Sequence, residues 1–124
     1  MEWYAIEGRQ TAADLRKFGP CTRIVIRNEA TGRDADVLAQ VGTDLPVSLI
    51  RPGLGTTLGL PRLPIDRLAY RVHMMFPSGI LEFAALEAPI DAPNDLVLGR
   101  DFLSSCRMKI DFNTGNWMLQ IGMS

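Results

Sequence analysis

The chain has 124 residues, with 13 basic and 14 acidic side chains for a formal net charge of −1, and it is 47% hydrophobic and 22% charged. That is enough for one globular domain and too apolar for a disordered chain, and its scattered basic residues, 11 of them Arg, give no electrostatic footprint for a nucleic-acid backbone. No apolar run approaches the roughly 18 residues of a membrane span, and Met1-Glu2-Trp3-Tyr4 lacks the basic and apolar regions of a secretory signal. Residues 1–20 read as an N-terminal arm. Thr11 caps a short helix through Ala12-Ala13-Asp14, with Leu15 and Phe18 on one face and Gly19-Pro20 as its stop.

From Cys21 to the end the signal is β. Cys21–Ile26 and Asp36–Val41 read as a hairpin about the turn-forming Asn28–Arg33, and Val47–Ile50 follows as a strand after a break. The segment from Leu58 to Arg67 holds Gly59, Pro61 and Pro64, so it is expected to be loop or an irregular hairpin. Leu68–Phe76 and Ile80–Leu86 read as strands joined by Pro77-Ser78-Gly79. Leu96-Val97-Leu98 is a short buried strand ended by Gly99, Arg100–Cys106 is the best candidate for a short helix, and Met108–Phe112 with Trp117–Ile121 forms a final hairpin. Many short strands at regular spacing indicate a mainly β domain, a small barrel or sandwich spanning 21–124. Its expected core includes Ile24, Ile26, Val37, Leu38, Val41, Leu49, Val72, Phe83, Leu98, Leu103, Ile110 and Leu119.

Two segments about fifty residues apart carry a specific resemblance. Val37–Ile50, containing Gly42-Thr43-Asp44, and Leu96–Leu103 followed by Lys109–Phe112 are similar to the retropepsin-like family of single-lobe aspartic proteases. The resemblance implies a small closed β-barrel with one short C-terminal helix, and a homodimer whose cleft handles extended peptides. A cytoplasmic location is expected from the missing secretory signal and the isolated cysteines, and no cofactor or metal is expected. In that family each subunit supplies one Asp, and the paired carboxyls share a proton and activate a water. Arg100 and Asp101 match positions that hold the subunit together or brace the dimer. The apolar terminal strand Trp117–Ile121 is expected to be buried across the two-fold.

The chain departs from the family at the catalytic triplet. Asp-Thr-Gly is replaced by Gly42-Thr43-Asp44, so Gly42 occupies the place of the catalytic Asp and Asp44 that of the glycine. Thr43 matches and is assigned structural support of the site, while Asp44 is the candidate catalytic residue. Two positions along extended backbone displace the carboxylate's origin by roughly 6–7 Å, more than an Asp side chain spans. If Leu58–Arg67 is the flap, it lacks a glycine-rich tip. The expectations are therefore an aspartic endopeptidase fold handling extended peptides or, alternatively, a catalytically inactive pseudoprotease used for peptide binding or dimeric assembly. Restoring the triplet, Gly42→Asp with Asp44→Gly, is expected to leave the protein folded.

Other chemistry is poorly supplied. Cys21 and Cys106 lack CxxC spacing, and the single histidine, His73, lies in an apolar strand where a structural role is expected. Ser104 and Ser105 have no G-x-S-x-G context, Gly53–Gly59 has no Lys-Ser/Thr end for phosphate, and Asn113-Thr114-Gly115 reads as a hairpin turn.

Overall fold

The computed structural model describes residues 2–77 and 79–123. The chain runs β1 (Glu2–Arg9), α1 (Ala12–Phe18), β2 (Cys21–Asn28), β3 (Arg33–Val41), β4 (Leu49–Ile50), α2 (Leu54–Leu58), β5 (Ala69–Phe76), β6 (Gly79–Glu87), β7 (Leu96–Leu98), α3 (Arg100–Leu103), β8 (Cys106–Asp111) and β9 (Asn116–Met123). Six strands close a barrel in the order β2-β3-β7-β4-β6-β5, and β1-β9-β8 form a separate three-stranded sheet. The mainly β reading is correct, and the barrel is closed. Among the described residues no helix is long and apolar enough to cross a membrane.

The barrel follows from period-two burial. Ile24, Ile26 and Asn28 of β2 and Val37, Ala39 and Val41 of β3 point inward, alternating with more exposed neighbours. β7 is buried at all three residues because its neighbours cover both faces. It lies parallel to β3, with Val41 opposite Leu98, and antiparallel to β4, with Leu49 opposite Val97. β4 is in turn parallel to β6. This crossing of β3, β7 and β4 carries the chain through the middle of the fold, and the loops on either side of it become the candidate site.

Two hydrogen-bonded clips lock the remaining pieces. Asn28, 2% exposed, donates through Nδ2 to the carbonyls of Leu58 and Gly59 at 2.8 and 2.9 Å, and its Oδ1 accepts from Ala30 N. The β2–β3 hairpin is thereby tied to the end of α2. Gln10 does the same between the two sheets. Its Oε1 accepts from Cys21 N and Trp117 Nε1, both at 2.9 Å, and its Nε2 donates to Gly19 O. Trp117 lies across Gly8 of β1, a close approach that leaves no room for a side chain at position 8.

Several sequence expectations are corrected here. Within the expected N-terminal arm, residues 2–9 form a strand the sequence did not show, β1, paired along its length with β9. The helix is as expected: it begins at Ala12, with Thr11 Oγ1 accepting from Asp14 N, and ends at Phe18 before Gly19. Leu15 is fully buried, whereas Phe18 is half exposed. Among the described residues there are three short helices, and α3 ends at Leu103 because β8 already starts at Cys106. The terminal strand β9 is the centre of its sheet, so Trp117, Leu119 and Ile121 are buried within the chain itself. Of the expected core, Leu38, Leu49, Phe83, Leu103 and Ile110 are only partly buried, while the other seven are buried. Ser78, within the expected β5–β6 turn, lies outside the described residues.

Candidate functional site

The triplet Gly42-Thr43-Asp44 forms a tight turn at the mouth of the strand crossing. Leu45 N donates to Gly42 O at 3.2 Å, and Gly42 N donates to Leu98 O at 2.9 Å, continuing the β3–β7 ladder by one residue. The far side of the turn is held by α3, where the N–H groups of Arg100 and Asp101 donate to the carbonyls of Leu45 and Pro46. Ser48, completely buried, fixes the exit. Its hydroxyl donates to Asp101 Oδ1 at 2.8 Å and accepts from Gly99 N at 3.0 Å, while Ser48 N donates to Asp101 Oδ2. Asp101 Oδ1 also accepts from Phe102 N at 2.7 Å, an N–H that donates as well to Gly99 O at 3.1 Å. Asp101 thus braces the loop within its own subunit.

The turn borders a cleft of about 660 Å³. One wall is the end of α1 with Phe18 and Pro20, a second is the Pro89–Asp91 loop, and a third is the face of β8 carrying Met108 and Ile110, continued by Phe112. Val97 and Leu49 line its base. The lining is mixed, with apolar side chains set among at least as much polar surface, including the side chains of Arg16, Gln40, Thr43, Asp44 and Asp91. Such a mixture suits a ligand with both apolar side chains and an amide backbone. No residue from 58 to 67 lines the cleft, so the segment expected as a flap does not cover it.

All three triplet residues border this cleft, but they are not equivalent. Thr43 and Asp44 are exposed, whereas Gly42 is buried. A Cβ at Gly42 would lie 2.5 Å from Val97 Cγ1 and 3.4 Å from Leu45 Cδ1. The space into which a side chain at 42 would project is therefore filled by a β-branched residue of the barrel. Asp44 lies in the turn without positive φ, so it carries no left-handed strain. It has Asp91 as the other carboxylate on the same cleft.

The other candidates lie elsewhere. His73 sits on β5, with Nε2 3.3 Å from Glu82 Oε2 and its buried Nδ1 without a partner among the described residues. Ser104 and Ser105 hydroxyls donate back to carbonyls of α3. Burial pushes the Cys21 and Cys106 thiols up, which disfavours the reactive thiolate. Asn113-Thr114-Gly115 is the β8–β9 turn, with Gly115 at φ 80°. Among the described residues no group of three or more His, Cys, Asp or Glu side chains converges to hold a metal. Asp91, Phe18 and the β8 face were not legible as site residues, because each reaches the cleft only through the tertiary fold. No known protein-family model matches the chain, and no curated protein matches it either.

Proposed function

We propose that this domain is a retropepsin-like pseudoprotease, a homodimer that binds an extended peptide or protein segment in the cleft at Gly42–Leu45 without hydrolysing it. The observation that carries the reading is the closed space at Gly42. Water-mediated amide hydrolysis needs two carboxyls within hydrogen-bond reach of one water. Here the family's Asp position holds a glycine whose Cβ direction is occupied by Val97. The nearest carboxylate in the chain is two residues on, exposed, on a turn anchored at both ends. The turn is held by α3 and Ser48 and borders an open cleft, which supports a binding role. A peptide lies in such a cleft by main-chain hydrogen bonds, with alternate side chains in apolar recesses.

The test is a degenerate peptide library incubated with the protein in acid and neutral buffer. Bound peptides and new termini are both read by mass spectrometry. Binding without new termini is expected, and Ile90→Asp, in the cleft wall, should abolish the binding.

A hydrolytic reading rests on a different observation, that Asp44 and Asp91 border the same cleft. It requires acid-side cleavage that disappears in both Asp44→Asn and Asp91→Asn.

A further inference from the structure

The polar side chains of the cleft divide into those the chain uses itself and those it leaves over. Gln40 is engaged at both ends, its Nε2 donating to Phe18 O at 2.7 Å and its Oε1 accepting from Asn94 Nδ2 at 3.3 Å. Arg16, the only cation among the described lining residues, donates through Nη2 to Phe112 O at 3.3 Å. Asp44 and Asp91 differ. Both are exposed, and neither carboxyl has a hydrogen-bond or ion-pair partner among the described residues. Their backbones are nonetheless fixed. Asp44 sits in the turn closed by Leu45 N on Gly42 O, and Asp91 in a loop pinned by Ala88 N on Ile50 O and Asn94 N on Asp91 O. A carboxylate accepts and does not donate, so the cleft offers preorganised acceptors and a net negative lining to a ligand rich in donors. The same cleft carries exposed apolar side chains, Phe18 at 50%, Phe112 at 47% and Met108 at 37%. Lys17 Nζ already lies 5.2 Å from the Phe18 ring centroid, so a second cation is disfavoured at that end and is directed to the carboxylates.

We infer that the cleft selects segments bearing an arginine, whose guanidinium is received by Asp44 and Asp91 while apolar neighbours pack on Phe18, Met108 and Phe112. The inference rests on the proposed peptide-binding role and names the chemistry which that cleft recognises. A guanidinium presents five N–H donors in a planar fork, so two of its edges each meet a carboxylate; a lysine ammonium is a point charge with three donors. An acidic residue at the same place would bring like charges together and leave two carboxylates desolvated without a cation, and that penalty supplies the selectivity. Asp44 owes this role to the order Gly42-Thr43-Asp44. A glycine at position 44, as the resembled family has it, carries no side chain with which to read a charge. The position next to the turn thus serves recognition.

The test uses the full chain and labelled peptide pools, each degenerate in apolar residues around a fixed central arginine, lysine, citrulline or glutamate. Fluorescence anisotropy at low salt should rank arginine first, lysine next and glutamate last. Arginine should bind at least about tenfold more tightly than citrulline, its uncharged isostere. Asp44→Asn and Asp91→Asn should each shrink the arginine-to-citrulline ratio, and the double variant should bring it close to unity. Neither carboxyl is bonded within the chain, so urea denaturation should find both variants as stable as the parent. A variant that loses stability would show its carboxyl engaged in the fold and count against the inference. An arginine pool no tighter than the lysine or citrulline pool overturns it, and so does a preference that survives the double variant. In those cases the pools still bind, and the peptide cleft stands without the selectivity. If no pool binds at any concentration, the cleft reading falls and the selectivity with it.

Discussion

At Gly42 a single hydrogen in place of a Cβ decides what the loop can become. Inserting Asp there forces Val97 away from its seat beside Leu49 in the barrel, and overpacking of that kind costs about 1–3 kcal/mol. Gly42→Asp with Asp44→Gly should therefore lose about that much in urea denaturation, and adding Val97→Ala should recover part of it. If the double variant is as stable as the parent, the space at Gly42 is not closed. Ser48 is the other decisive residue. Ser48→Ala leaves the Gly99 N–H buried without an acceptor and removes a donor from Asp101, a loss of about 1–3 kcal/mol in the same experiment. Gly42-Thr43-Asp44 was legible in the sequence as a candidate site, but the packing at Gly42 was not. That Val97 fills the Cβ direction depends on the parallel pairing of β3 with β7, two strands more than fifty residues apart.

Among the elements, the hairpins and short strands were legible because their burial alternates with period two and turn residues punctuate them. The β1 strand was not. Glu2–Arg9 has weak alternation, and what makes it a strand is the partner β9, with Gln10 clipping the junction. Gln10→Leu should strand the Trp117 indole N–H and the Cys21 N–H, lowering stability by about 1–3 kcal/mol. Unchanged stability in thermal unfolding would mean the clip does not hold the two sheets together. The β8–β9 hairpin carries a pH signature. The carboxyls of Asp111, bound by the Asn113 and Thr114 amides, and of Asp34, bound by the Arg27 guanidinium, are both held below the usual aspartate range. A depressed folded pKa contributes stability that is present above the unfolded value near 3.9 and lost as pH falls through the folded one. Asp111→Asn should therefore flatten the acid limb of the stability profile and leave the neutral limb's shape unchanged. An unaltered acid limb would remove Asp111 from this role.

For the whole molecule, a closed barrel holds the Gly42–Leu45 turn beside a cleft of mixed lining, and β8 of the three-stranded sheet forms one wall of that cleft. The space into which a side chain at position 42 would project is filled by Val97. The most direct measurement is fluorescence anisotropy on a library-selected labelled peptide, followed by mass spectrometry of that peptide after prolonged incubation in acid buffer. The account predicts saturable binding, lost in Ile90→Asp, with the peptide recovered intact. Cleavage of the peptide by the parent protein, abolished by Asp44→Asn, would contradict it.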